Sequence, residues 1–313
     1  MSIAVYILLS ILILLVLSGG YVFLIACVRR KEIPWLQEEE IKKTSYAKYY
    51  DHIVRSDSFL KEHDAMDISV KSNDGLILRG LWVPANDPKG TILLAHGYRS
   101  SKLVDFGLVF DLYHRLGMNL LIPDQRAHGK SEGKYITFGV KESRDMQAWI
   151  AYHNREFGEY PMILSGLSMG ASTVLYLADA DLPRNVKGII ADCGFTSPKE
   201  ILSSVYRNIV HLPAGPTLWI TDLFARVVAG FGLSEKDTRV CLRKSKLPVC
   251  LIHGLADDFV PCSMSQKGFE ACTSPKELLL VEGAGHGVSF LHNSTEYTEK
   301  IIAFLKKNVE GFT

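Results

Sequence analysis

The sequence has almost no excess of either charge: 35 Lys and Arg stand against 34 Asp and Glu in 313 residues, a formal net charge of +1. DNA or RNA would find no basic footprint on it, so no nucleic-acid partner is expected. Cysteine is sparse. The six residues Cys27, Cys193, Cys241, Cys250, Cys262 and Cys272 include no Cys-x-x-Cys pair, which indicates neither a structural zinc site nor a disulfide scaffold and fits free thiols in a reducing compartment. His-Glu-x-x-His is missing, as is a Gly-x-Gly-x-x-Gly turn after a strand; no metal and no dinucleotide cofactor is expected. No internal repeat or low-complexity segment is present, and with 47% hydrophobic and 22% charged residues the chain can bury a full core.

Charge is also missing locally. Ile3 to Val28 are 26 residues without a charged side chain, and as a helix they reach about 39 Å, enough for one tilted crossing of a hydrocarbon layer roughly 30 Å thick. A cleaved signal peptide is the competing reading, but its basic start is missing at Met1 and Ser2 and its apolar stretch is shorter, about 7 to 15 residues. Residues 1–28 are therefore read as a retained transmembrane anchor, with the lipid bilayer as partner of residues 3–28. Arg29, Arg30 and Lys31 follow directly, and positive charge beside a span favours a single-pass protein with its soluble part in the cytoplasm. Residues 29–65 alternate charged and aromatic side chains, Trp35, Tyr49 and Tyr50 among them, and read as a juxtamembrane helical segment.

From residue 66 the pattern becomes short apolar runs separated by turns and amphipathic stretches, as in a mostly parallel sheet covered by helices. Asp67–Val70 and Leu76–Val83 around Asn73-Asp74-Gly75 predict an opening hairpin. Ile92–Ala95, Asn119–Ile122, Met162–Ser165, Gly188–Ala191, Val249–Ile252 and Glu277–Val281 predict six further strands, brief enough to be buried on both faces. Helical windows fall at Val104–Leu116, Val140–Phe157, Ala171–Ala178 and Thr295–Val309. Residues 196–246 are too long for a single crossover and predict an inserted lid.

The chemistry centres on Gly166-Leu167-Ser168-Met169-Gly170. The string alone is weak, but a predicted strand precedes it and a helical window follows. A sharp strand-to-helix turn with serine at its apex needs small neighbours and exposes the hydroxyl at a helix N-terminus. Such a serine needs a base, and the base needs an orienting acid. Both follow at strand ends: His253-Gly254-Leu255-Ala256-Asp257-Asp258 after one, Gly283-Ala284-Gly285-His286-Gly287 after the next. The order Ser, Asp, His is that of the α/β-hydrolase scaffold, whose ligands bind at the carboxyl edge of the sheet. Leu93-Leu94-Ala95-His96-Gly97-Tyr98 adds a strand ending in a glycine turn, where backbone amides can face a developing oxyanion beside the amide of Met169.

With the turn Asp124-Gln125-Arg126-Ala127-His128-Gly129, residues 66–310 resemble the α/β-hydrolase superfamily, in its serine-hydrolase branch similar to S33-type serine aminopeptidases, monoglyceride lipases and Bem46-like proteins. The family usually has glycine where this chain has Ala127. The resemblance implies an α/β fold with helices on both faces of a mostly parallel sheet, a hydrolase domain over 66–313 with its lid at about 196–246, and no cofactor. It implies Ser168 as nucleophile, His286 as general base, Asp257 as the acid that orients it, and the amides of Tyr98 and Met169 as oxyanion donors. Asp258 and, more remotely, Asp192 are alternative acids, and His292 an alternative base. His96 and His253 read as structural histidines near the site, and Cys193 as a buried thiol.

The segment Pro216–Leu233 carries Trp219, Phe224 and Phe231 at loosely helical spacing. It either packs the lid onto the core or offers an acyl-binding wall in which those three side chains meet substrate. The expected function is a membrane-anchored serine hydrolase acting on a small-molecule ester or related acyl compound, lipophilic ones favoured. An S33-type aminopeptidase and a non-catalytic binding protein on the same fold are the alternatives.

Overall fold

The computed structural model describes residues 3–44, 47–211 and 213–312. Met1 and Ser2 of the anchor, residues 45 and 46 of the following segment, residue 212 of the insertion and the last residue lie outside the described residues.

Eight strands form one sheet: β1 (Met66–Lys71), β2 (Ile77–Val83), β3 (Gly90–Ala95), β4 (Met118–Pro123), β5 (Met162–Leu167), β6 (Val186–Asp192), β7 (Val249–Gly254) and β8 (Lys276–Val281). Their order across the sheet is β1-β2-β4-β3-β5-β6-β7-β8. β2 runs antiparallel to both β1 and β4, and every other pairing is parallel. All eight predicted strands are present.

The buried runs explain the sheet. In β3, Ile92 and Leu94 face a core shared with Phe110 and Tyr113 of helix Gly107–Arg115 and with Ile301 and Phe304 of helix Ser294–Asn308. Leu93 and Ala95 face the other side, against Met146 and Trp149 of helix Val140–Glu156 and Val174 of helix Met169–Leu175. Each large side chain so buried contributes about 1.5–3 kcal/mol, and only a strand covered on both faces can be apolar throughout. The hairpin turn is held by Ser72, whose hydroxyl donates to Asp74 and accepts from the Leu76 amide, while Gly75 takes φ +92°. Arg126 clamps this turn to the domain, pairing with Asp74 on one side and with the buried Asp145 on the other.

The helical window Val104–Leu116 is broken into Lys102–Asp105 and Gly107–Arg115. Helix Tyr50–Glu62 passes so close that a side chain on Gly107 would run into Ser56. Between β6 and β7 the insertion folds into helices Pro198–Val210 and Gly215–Phe224, a π-helical turn Ala225–Ala229, and helix Thr238–Leu242.

The segment Ile3–Cys27 is one helix, long and apolar enough to cross a membrane. Its last turns pack against helix Gly215–Phe224. Gly19 makes this possible, since a Cβ there would lie 2.5 Å from Ile220, and the Thr221 hydroxyl donates to the Gly19 carbonyl at 3.1 Å. Phe23 stacks on Phe224. The chain leaves the helix by pairing Val28 with Tyr135, and the Arg29 guanidinium donates to the Gly129 and Ser131 carbonyls at 2.6 Å each.

Candidate active site

Parallel strands bring the ends of β3, β5, β7 and β8 to one edge of the sheet, where open α/β sheets bind ligands. Ser168 stands at the end of β5 with φ +56° and ψ −116°, a conformation that costs a non-glycine residue strain of order 1–3 kcal/mol. Two glycines admit this turn. A side chain on Gly166 would strike the Gly170 carbonyl, and one on Gly170 would strike the Ala95 carbonyl of β3. The serine is thus held by packing from both sides and by its own amide, which donates to the Asp192 carbonyl at 2.8 Å.

His286, in the glycine-rich loop after β8, lies with Nε2 2.9 Å from Ser168 Oγ and Nδ1 2.7 Å from Asp257 Oδ2. A carboxylate only accepts, so Nδ1–H donates to Asp257 and Nε2 is left to accept the serine proton. Asp257 Oδ1 accepts from the amides of Phe259 and Val260 at 3.0 and 2.8 Å. Burial pushes its carboxyl up, but hydrogen bonds from His253 and His286 and the His286 charge outweigh this and hold it well below the usual carboxylate range. The geometry therefore gathers Ser168, Asp257 and His286 in one hydrogen-bonded chain. Asp258 and His292 are exposed, and Asp192 is buried with its Oδ1 accepting from Ser289 at 3.1 Å.

The turn after β3 is fixed from several directions. Gly97 N–H and the Ser100 hydroxyl both donate to Asp105, at 2.5 and 2.6 Å, and Arg99 N–H donates to His128 Nε2 at 3.0 Å. His96 Nε2 accepts from the Gln125 amide at 3.0 Å. Among the described residues no protein acceptor takes the Tyr98 amide, and the Met169 amide is the first of its helix, whose partner must come from outside. Both amides are thus left without a protein acceptor among the described residues. Asp105 and His128 as braces of this turn escaped the sequence reading; only the turn motif Asp124–Gly129 hinted at His128. Ala127, where glycine is usual, adopts φ +61° and so carries the left-handed strain that glycine would avoid.

His253 also has a definite task. Its Nε2–H is shared between the Val260 carbonyl at 3.0 Å and Asp257 Oδ2 at 3.2 Å, while the Ser265 hydroxyl lies 2.7 Å from Nδ1. It steadies the loop that carries the acid. Cys193 is buried, and burial pushes its thiol well above the usual range, which leaves it a protonated packing group and no nucleophile. Its sulfur, Asp257 and His286 offer ligand atoms within 4.8 Å of one another, but the carboxylate and imidazole are already bonded to each other, so this donor set does not suit a metal.

Burial raises Asp192 to about 6, with the His253 charge and the Ser289 hydroxyl opposing it. The sign of the consequence is fixed: between the unfolded pKa near 3.8 and 6 the unfolded chain ionises first, so stability falls as pH rises through that window. Asp192→Asn removes the effect. Its unfolding free energy relative to wild type should move in the variant's favour by up to about 3 kcal/mol between pH 4 and 7, which urea denaturation at the two pH values measures.

Two cavities, each about 520 Å³, meet at Ser168. One lies between Ile33, Tyr49 and His52 and the braced turn; the other is apolar and lies between the N-terminal helix and helix Pro198–Val210. Tyr98, Ser168 and Phe259 border both. Trp219, Phe224 and Phe231 border neither, which corrects the expected wall. Trp219 points outward at 72% exposure, Phe224 packs on Gly20 and Phe23, and Phe231 is buried at 1% in the core of the insertion. In the apolar cavity the lining comes from helix Pro198–Val210, as Ile201, Leu202 and Val205, from the N-terminal helix, and from Phe138, Phe195 and Phe259.

The family model for serine aminopeptidases, S33, matches residues 86–214. The Bacillus subtilis (strain 168) protein YqkD is 31% identical over 237 residues, 75% of this chain and 77% of that protein. The chain belongs to the α/β-hydrolase superfamily. Within it the hydrolase falls in the serine-hydrolase group of S33-type and Bem46-like proteins, being 29% identical over 229 residues to the Xenopus laevis α/β hydrolase domain-containing protein 17B, 71% of this chain and 68% of that one. Its fold matches the Pyrococcus furiosus esterase Pf2001 with a TM-score of 0.66 at 24% identity, over 80% of the hydrolase and 94% of the esterase.

Proposed function

We propose that this hydrolase is a membrane-anchored serine esterase, cleaving a lipophilic carboxylic ester through an acyl-enzyme on Ser168. The observation that carries the reading is the continuous hydrogen-bonded line from Ser168 Oγ through His286 to Asp257. His286 takes the serine proton as Oγ attacks the carbonyl; the Tyr98 and Met169 amides receive the oxyanion, a donor of this kind being worth about 3 kcal/mol in the transition state. His286 then returns the proton to the departing alcohol, and water releases the acyl group by the same route in reverse. Neither step calls for a cofactor.

The apolar character of the cavity beside helix Pro198–Val210 favours acyl substrates over peptides. An aminopeptidase needs a free carboxylate to hold the substrate's ammonium group. Of the two acids bordering the cavities, Asp105 already accepts from Gly97 and Ser100 and Asp192 from Ser289. In this reading the first four turns of the N-terminal helix lie in the bilayer. Arg30 and Lys31, exposed beside it, favour a cytoplasmic catalytic domain, Arg29 being engaged with the loop at Gly129.

The test is a panel of p-nitrophenyl esters of increasing acyl length beside aminoacyl p-nitroanilides, with fluorophosphonate labelling of the full-length protein. Labelling and turnover that favours medium or long acyl esters are expected. A preference for free-amine anilides would give the site to the peptidase reading, and neither labelling nor turnover would leave a binding protein on this fold.

A further inference from the structure

The apolar cavity at Ser168 is unusual in what makes it. One side is helix Pro198–Val210; the other is the N-terminal helix, through Ser18, Val22, Ile25 and Ala26. We propose that this helix is a wall of the substrate site as well as an anchor: a single long acyl chain drawn from the bilayer lies between residues 18–26 and helix Pro198–Val210, with its ester carbonyl at Ser168. This rests on the serine-esterase reading above.

Three observations point to it. First, the helix is built into the domain at the level of the site. The Tyr98 hydroxyl donates to the Ala26 carbonyl at 2.8 Å, and the Arg99 guanidinium donates to the Ile25 and Val28 carbonyls at 2.6 and 3.0 Å. These are neighbours of the oxyanion turn, so the helix end and the catalytic turn are fixed to each other. Second, the other cavity at Ser168 has a different lining: Ile33, Val104 and Leu291 make much of it apolar, but His52, Arg99 and Asp105 also lie along it. An ester whose carbonyl sits at the junction thus has one apolar and one more polar compartment, which suits an acyl chain in the first and a polar alcohol in the second.

Third, the outer side of the docked turns is apolar: Tyr21 and Leu24 are exposed on the N-terminal helix, and Trp219, Leu223 and Val227 on the paired segment of the insertion. The outward stripe of the insertion is in this arrangement a lipid-facing surface, and the cavity opens beside it. A chain can pass from the membrane to Ser168 without crossing water.

The experiment uses full-length protein in phospholipid nanodiscs. An alkyl fluorophosphonate with a diazirine near the end of a long chain is allowed to react with Ser168, then photolysed, and the cross-linked peptides are identified by mass spectrometry. Cross-links to residues 18–26 or 201–206 are expected. Cross-links confined to the other cavity, at Ile33, Tyr49, His52 or residues 288–291, would overturn the proposal while leaving Ser168 as nucleophile. Failure of the probe to react at all would instead remove the esterase reading on which it rests. In parallel, Val22→Trp should lower the ratio of kcat/KM for hexadecanoyl over butanoyl p-nitrophenyl ester by about tenfold or more, the scale of a pocket losing one or two methylenes' space. Leu12→Trp, on the exposed part of the helix, should leave that ratio unchanged. An unaltered ratio in a Val22→Trp protein that still labels would also overturn it.

Discussion

Ser168→Ala is expected to lower kcat/KM for p-nitrophenyl esters by about 10⁵- to 10⁶-fold and to abolish covalent labelling by a fluorophosphonate. The magnitude follows from how the parts depend on each other. His286 Nε2 has Ser168 Oγ as its partner at 2.9 Å; without the hydroxyl there is nothing to activate, and only the two free amides and the cavities remain to assist a water. Such a remnant retains about 10³- to 10⁴-fold over the uncatalysed reaction. Stability should scarcely change, because alanine bears the same φ of +56° and among the described residues the hydroxyl makes no bond other than that to His286. Turnover and the mass of the labelled protein measure the first effect and thermal denaturation the second. A variant that still labels at the wild-type rate would show that another nucleophile reacts.

The sheet was legible because buried strands announce themselves locally. A run such as Met162-Ile163-Leu164 can only be a covered strand once glycines bound it, and the spacing of the runs gives the crossovers. Ser168, Asp257 and His286, which the structure joins by hydrogen bonds, were legible as neighbours for a related reason: each lies in the turn after a strand, and parallel strands deliver their ends to one edge. What escaped depends on contacts between segments far apart. Gly19 and Gly20 read as part of a uniform apolar helix, and nothing near them in sequence says that Ile220 and Phe224 will pack there.

The insertion deceived in the opposite way. Its apolar periodicity was real, but periodicity states only that a face avoids water; it does not distinguish a cavity, a core or a lipid layer. Trp219 proved to face outward and Phe231 inward. The apolar lining at Ser168 came instead from Ile201, Leu202 and Val205, one helix earlier, from residues 18–26, and from Phe138, Phe195 and Phe259. The braces of the oxyanion turn were hidden likewise: Asp105 reaches Gly97 across eight residues and His128 reaches Arg99 across 29, with no spacing rule to join them.

The second large effect belongs to the acid. Asp257→Asn should reduce kcat by about ten-thousand-fold with the fold intact. Four donors converge on the two oxygens of Asp257: the amides of Phe259 and Val260 on Oδ1, and His286 Nδ1–H with His253 Nε2–H on Oδ2. An asparagine has only one oxygen for them. If that oxygen stays with the two backbone amides, its NH₂ faces His286, whose ring must then accept at Nδ1 and carry its proton on Nε2. In that tautomer Nε2 donates toward Ser168 and can no longer take the serine proton. Turning the amide the other way would set NH₂ against two backbone N–H groups, an arrangement the loop cannot relax without moving Val260 and the histidine bonded to it. Asp258→Asn, at an exposed side chain on the same loop, should leave kcat within about twofold of wild type, as surface substitutions ordinarily do. Steady-state kinetics on both variants, with Asp192→Asn beside them, decides the assignment: a large loss in Asp192→Asn together with a small one in Asp257→Asn would transfer the role of acid to the end of β6.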